Sequence, residues 1–177
     1  NSLRFRASNS AYLNRTPASA GNRKTWTYSA WVKRGLLNSS DNNCLLTAYT
    51  DASNRMYFDF HTDQTLNVFC RISGTDLLEC KTSAVFRDCS SWYHVVAVCD
   101  TTQATGSNRF KIYVNGVQQT VTFTTTPSQN ADLYINNNVA HYMNKYGDAS
   151  GYFDGYSAET NFVDGQALTP SSFGATD

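Results

Sequence analysis

Thr25-Trp-Thr-Tyr-Ser-Ala-Trp-Val-Lys33 alternates along its length, with Trp26, Tyr28, Ala30 and Val32 on one side and Thr25, Thr27, Ser29 and Lys33 on the other. Successive side chains of a strand point to opposite faces, so this segment is a strand with a large apolar face. Trp31 stands on its polar side, which predicts cover there too. Trp92-Tyr-His-Val-Val-Ala-Val-Cys99 is nearly all apolar, as a central strand covered on both faces requires. Phe110, Ile112 and Val114 alternate with Lys111 and Tyr113. Asn115-Gly116 then supplies two residues tolerant of positive φ, a hairpin signal. Tyr152-Phe-Asp-Gly-Tyr-Ser-Ala-Glu-Thr-Asn-Phe-Val163 reads as the last long strand. Such segments, parted by turn residues, predict an all-β chain folded as a two-sheet sandwich.

The intervening sequence supports this class. Leu3 and Phe5 give a first short strand and Ala11-Tyr-Leu13 a second, before a polar loop from Asn14 to Lys24. A loop from Asn38 to Asn43 precedes a meander: Cys44 to Thr50, Arg55 to His61 and Thr65 to Ile72. Leu77 to Thr82 and Ala84 to Arg87 read as two shorter strands. Val117 to Phe123 is expected to return beside Phe110–Val114, and Leu133 with Ile135 marks another strand. His141 to Gly151 reads as a long loop, and Thr169-Pro170 as the start of one helical turn. Trp26, Trp31 and Trp92, all placed in central strands, are expected to pack in the core.

Composition narrows the function. A chain of 177 residues fits one domain, 1–177, and its formal net charge is zero. A neutral chain has no electrostatic reason to bind nucleic acid or an anionic membrane surface. No apolar run is long enough to span a bilayer. The chain begins at Asn1 without a basic, apolar leader and stops at Asp177, which reads as a segment of a longer protein. Five cysteines (44, 70, 80, 89 and 99) read as small apolar residues in reduced form, with Cys80–Cys89 the best candidate for a bridge. No C-x-x-C pair or paired histidine spacing points to zinc.

Four segments in order, Thr27–Lys33, Trp92–Val98, Lys111–Gly116 and Phe153–Glu159, resemble the laminin-G-like jelly roll of the concanavalin A-like lectin/glucanase superfamily. The resemblance implies an antiparallel jelly-roll β-sandwich. Tyr12–Thr27 and Asn161–Phe173 are similar, more narrowly, to jelly-roll domains in virion proteins of tailed bacteriophages, especially marine ones. That likeness implies a structural or adhesion protein, on the capsid as decoration or on a tail fibre, assembled in host cytoplasm and exposed on the particle. Its partners would be other virion proteins and host-surface glycan, with an oligomer compatible with either. The alternative is a free carbohydrate-binding module or extracellular adhesion domain. Ser157, Thr160 and the cysteines depart from the pattern and bear on local packing.

The chemistry points away from catalysis. Retaining glucan hydrolysis needs two carboxyl groups about 5 Å apart, which a strand supplies at alternate positions. The two glutamates, Glu79 and Glu159, lie in different segments with no acid at that spacing. No Gly-x-Ser-x-Gly elbow occurs, and His94 sits in an apolar run. Calcium, which laminin-G-like domains often hold at the rim, would find its weak candidates in Asp100, Asp148 and Asp154, without an acid-dense loop to join them. Sugar recognition uses flat aromatics against pyranose faces with Asn and Asp for hydroxyls. Two places carry that chemistry: Tyr57, Asp59 and His61 on the polar side of one strand, and Tyr142, Tyr146 and Tyr152 in the His141–Gly151 loop and just beyond it. The competing reading of each tyrosine is a buried ring with a wetted hydroxyl. Asn14-Arg-Thr16 and Asn38-Ser-Ser40 match glycosylation sequons, which would be inert in a protein assembled in bacterial cytoplasm.

Overall fold

The computed structural model describes residues 1–37 and 41–174. Its strands form two antiparallel sheets packed face to face. The first sheet runs, edge to edge, β1 (Ser2–Phe5), β13 (Gly155–Asp164), β3 (Thr25–Arg34), β8 (Tyr93–Asp100), β9 (Phe110–Val114) and β10 (Val117–Gln118). The second runs β11 (Val121–Thr125), β7 (Thr75–Val85), β6 (Thr65–Ile72), β5 (Asn54–Phe60), β4 (Asn43–Asp51), β12 (His141–Met143) and β2 (Leu13–Arg15). This is the jelly-roll sandwich expected. No helix of the described residues is long and apolar enough to cross a membrane.

Alternation builds the core. Trp26, Tyr28, Ala30 and Val32 of β3 are buried, and so are Met56, Phe58 and Phe60 of β5 and Leu66, Val68 and Cys70 of β6. Tyr28 meets Phe58 edge-on across the two sheets, with centroids 6.0 Å apart. Each such apolar side chain removed from water stabilises the fold by about 1.5–3 kcal/mol. Arg34 ends β3 inside this layer. Its Nη1 donates to the Phe86 carbonyl at 2.6 Å and its Nη2 to Asn43 Oδ1 at 3.2 Å. The guanidinium lies 4.4 Å from the Phe60 ring centre.

Several expectations are corrected. The second strand starts at Leu13, not Ala11, because a 3₁₀ turn at Ala7–Asn9 and a left-handed Ser10 delay the extended backbone. Leu77–Thr82 and Ala84–Arg87 belong to the single strand β7, which ends at Val85. Val117–Phe123 is not one strand: β10 pairs with β9 for two residues, and the chain then crosses to the second sheet as β11 beside β7. Leu133 and Ile135 are fully buried yet lie in irregular backbone, tied by Arg23, whose Nε donates to the Leu133 carbonyl at 2.6 Å. Burial at alternate positions imitated a strand there. His141–Met143 is a strand between β4 and β2, not the opening of a loop. The last strand begins at Gly155 rather than Tyr152. The backbone there passes so close to the Lys33 carbonyl that a Cβ would lie 2.1 Å from its oxygen.

Of the tryptophans only Trp26 is core. Trp31 is half-buried on the outer face of the first sheet, and Trp92 precedes β8 and packs near Tyr156 with centroids 6.3 Å apart. All five cysteines are free. Cys80 faces the core from β7 while Cys89 lies in the following loop, so the expected bridge does not form. The sequon at Asn38-Ser-Ser40 lies outside the described residues.

Candidate functional site

The outer face of the second sheet carries the side chains that alternate with the core set: Thr47 and Tyr49 of β4, Arg55, Tyr57 and Asp59 of β5, and Asn67, Phe69 and Arg71 of β6. Tyr57 and Phe69, cross-strand partners, stack with centroids 5.2 Å apart. The segment after β12 folds back over this face. Left-handed residues at Asn144, Ala149 and Gly151 turn it. Backbone bonds from Asn144 N to Leu45 O at 3.2 Å and from Cys44 N to Gly151 O at 2.9 Å pin it to β4. At Gly147 the segment lies so near the Tyr49 ring that a Cβ would be 2.0 Å from its Cγ.

This return brings Tyr146 onto Tyr57, edge to face at 4.8 Å between centroids. The Tyr146 hydroxyl donates to Asp59 Oδ2 and accepts from Asn42 Nδ2 at 2.9 Å. Asn42 Nδ2 also donates to Asp59 Oδ2, at 3.2 Å, while its Oδ1 accepts from Thr62 N at 2.9 Å. Asp59 is fully buried. Burial is the largest influence on its carboxyl and lifts it to about 8, against the opposing pulls of Asn67, Lys81 and Asn42. Beside this cluster opens a cleft of about 170 Å³ lined by Asn42, Tyr49, Arg55, Tyr57, Tyr146 and Asp148, with Thr47 and Ser150. It joins aromatic faces to amide, hydroxyl, carboxylate and guanidinium groups, the mixture that a hydroxylated ring requires.

Of the residues singled out from sequence, Tyr57, Asp59 and Tyr146 meet here. Asp148 joins them at the rim, exposed, its Oδ1 accepting from Ser150 N at 3.2 Å and Ser150 Oγ at 2.6 Å. His61 does not join. It lies past the far end of β5 from Arg55, with Lys81 Nζ 3.2 Å from its Nδ1 and Asp63 Oδ1 at 3.2 Å. Tyr142 lies one strand away. It packs on Tyr12 with centroids 6.0 Å apart, and Lys145 Nζ sits 4.4 Å from its ring centre. Tyr152 is half-buried and outside the cleft lining. Asn42 and Arg55 were missed by sequence reasoning; both looked like ordinary surface polar residues.

The three aspartates weighed for calcium are not gathered. Asp100 closes β8 and bonds Thr102 and Gln103, Asp148 is on the returning segment, and Asp154 precedes β13 and accepts from Ala7 N at 3.2 Å. Among the described residues no group of three His, Cys, Asp or Glu side chains could hold a metal ion.

A larger groove, about 640 Å³, lies where β13 and β2 part. Leu13, Leu46, Met143 and Phe162 give it apolar walls. Its rim is tied to itself, Asp164 Oδ1 accepting from Asn136 Nδ2 at 2.6 Å and from Asn22 N at 2.8 Å. Apolar side chains make up a larger share of this groove's lining than of the outer cleft, where every lining residue carries a polar side-chain group.

The middle of the first sheet's outer face, around Thr27, Ser29 and His94, is covered by the chain itself. The His94 ring stacks on Trp31 at 4.9 Å, its Nε2 is 2.9 Å from Ser29 Oγ, and Phe173 covers its other side. Thr27 Oγ1 donates to Gln166 O at 2.8 Å and accepts from Leu168 N at 2.9 Å, which straps the C-terminal segment down. Burial holds the His94 ring below its usual pKa, as expected for a packed neutral side chain.

Residues 7–172 match the family model described as the concanavalin A-like lectin/glucanases superfamily. No curated protein matches the sequence. Among solved structures the chain is similar to a native heptameric SAP-like pentraxin from Limulus polyphemus, with TM-score 0.65 and 15% identity over 97% of this chain and 79% of that one. Domain 4 of AbnA, an extracellular arabinanase from Geobacillus stearothermophilus solved with arabinotriose, gives TM-score 0.61 and 16% identity over 98% of this chain and 85% of that one. The CBM40 of a Ruminococcus gnavus IT-sialidase gives TM-score 0.58 and 14% identity over 91% of this chain and 96% of that one. Likeness at these identities is a likeness of fold.

Proposed function

The chain belongs to the concanavalin A-like lectin/glucanase superfamily, and from that premise we propose that it is a non-enzymatic, lectin-like module that binds a glycan on the outer face of its second sheet. The observation that carries this reading is the Tyr57–Tyr146–Asp59–Asn42 cluster and the cleft beside it, where aromatic faces and fixed polar groups converge on one concavity. Tyr146 is held at both ends, by its ring on Tyr57 and by its hydroxyl between Asp59 and Asn42. A sugar would therefore meet a surface already in place, with little side-chain entropy left to lose. Two similar structures bear names that speak of sugars, arabinotriose for one and a sialidase CBM40 for the other, which supports the same reading. A glycan array followed by calorimetry tests it. Saturable binding to a defined glycan that Tyr146→Ala weakens at least tenfold is expected; no binding to any glycan overturns it.

The setting we propose is a bacteriophage virion, with the module on capsid or tail and the glycan on the host surface. The support is the sequence likeness carried by Tyr12–Thr27 and Asn161–Phe173. In this fold those stretches include the edge strand β2, the start of β3, the end of β13 and the strap over the first sheet, away from the cleft. A module of that kind would contact other virion subunits through surfaces other than its glycan face. Mass spectrometry of purified particles from a host carrying the gene tests this: the chain at a fixed ratio to capsid or tail proteins is expected, and its absence refutes the setting while leaving glycan binding intact.

A further inference from the structure

Arginines near β5 and β6 are in very different states. Arg71 is neutralised, its Nε 2.5 Å from Asp76 Oδ1 and its Nη2 3.1 Å from Asp76 Oδ2. Arg34 is buried and spent on Phe86 O and Asn43. Arg55 lines the cleft, and its side chain makes neither a hydrogen bond nor an ion pair with any described residue. Its Nε is shut away from solvent without a partner. Its guanidinium carbon lies over the Phe69 ring, 5.5 Å from the ring centre. Burying a donor of a charged group with no acceptor is costly, and the cost is recovered when an anion arrives. A guanidinium presents its donors as a fork that fits a carboxylate through two parallel bonds.

The rest of the cleft defines what else the anion must carry. Tyr57 and Tyr146 bring aromatic rings to the lining, and Asn42, Thr47 and Ser150 bring small polar side chains that already bond within the chain. Three carboxyl groups stand near, of which Asp76 feels the Arg55 charge but is already bonded through both oxygens by Arg71. Asp59 is buried behind Tyr146, and with its carboxyl lifted to about 8 it carries little charge at neutral pH. Asp148 is exposed at the rim and already accepts two bonds from Ser150. At about 170 Å³ the cleft is smaller than a pocket for a drug-sized ligand, on the order of 300–1,000 Å³, and suits one monosaccharide unit.

We propose that the cleft takes an acidic sugar, its carboxylate paired with the Arg55 guanidinium and its ring held against Tyr57 and Tyr146. This rests on the glycan-binding reading above and names the class of glycan.

The test is calorimetric or saturation-transfer titration of the whole chain with two matched pairs: methyl β-D-glucuronide against methyl β-D-glucoside, and methyl α-D-galacturonide against methyl α-D-galactoside. One acid is expected to bind about tenfold or more tightly than its neutral counterpart, the size of a charge-assisted, two-point hydrogen bond. Arg55→Met keeps the apolar stem over Phe69 and is expected to erase that preference without lowering the melting temperature. Arg55→Lys is expected to restore part of it. Equal binding of acid and neutral sugars overturns the proposal, and so does a preference that survives Arg55→Met. In either case neutral glycans that still bind and are still lost in Tyr146→Ala leave the glycan-binding reading standing; an array on which nothing binds removes both.

Discussion

The two outer faces of this sandwich are built from the same alternation and end in opposite conditions. On the first sheet Ser29, Trp31 and His94 bond and stack with one another, and the C-terminal segment closes over them through Thr27, Gln166, Leu168 and Phe173. On the second sheet the returning segment covers only part of the face, and beside it Tyr49, Tyr57 and an unpaired Arg55 line an open cleft. Polar groups on a sheet surface say little about function by themselves. What separates the faces is whether the chain has already supplied the partners.

The largest effect expected from breaking this contrast is on the covered middle of the first sheet's outer face. His94→Ala removes a buried ring between Trp31 and Phe173 and leaves Ser29 without its partner, so a loss of about 2–4 kcal/mol in denaturant unfolding is expected. Glycan affinity should be unchanged below the melting temperature; a mutant that stays folded and loses its glycan would break the contrast.

Asp59 gives the next effect. Its folded-state pKa, about 8, lies above that of the unfolded chain, so the folded state holds a proton that the unfolded state releases. The stabilisation is complete below about pH 4 and is lost as pH rises through about 8, at no more than about 1.4 kcal/mol per pH unit. Unfolding midpoints measured from pH 4 to 9 should show this decline, and Asp59→Asn should flatten it. A profile identical in the wild type and the variant would show that the carboxyl is not held as described.

Smaller effects sharpen the picture at the cleft. Tyr146→Phe keeps the ring against Tyr57 but removes the bonds to Asp59 and Asn42. About 1 kcal/mol of stability should go, with a several-fold weaker glycan complex in calorimetry. Tyr142→Ala should change glycan affinity less than twofold, because Tyr142 is already occupied with Tyr12 and Lys145 one strand away. A tenfold loss there would extend the site beyond the cleft.

Much of the fold could be read from the chain because its central strands are long enough for alternation to be unmistakable. β3, β5, β6 and β9 show buried residues at every second position, and the turn at Asn115-Gly116 has positive φ at both residues, 49° and 79°. The short strands were harder. β12 offers only His141, Tyr142 and Met143, too few for a period, and it exists because β4 and β2 leave a gap for it. Leu133 and Ile135 failed in the other direction, since burial and pairing are separate events. For the site, aromatic and acidic residues marked Tyr57, Asp59 and Tyr146, which the fold brings together beside the cleft. Arg55 carried no mark, because being unpaired is a property of its neighbours in space. Tyr142 and His61 share the outer face in pattern, and their commitment to Lys145 and Lys81 appears only once the strands are laid side by side.

Each sheet ends in strands that are brief or irregular. β1 has four residues and β10 two; β2 has three, and β11 has five with a register shift. Few consecutive unpaired amides are left for a neighbouring copy to extend. A neighbouring copy therefore finds little edge to extend, and edge-to-edge pairing into fibres is disfavoured.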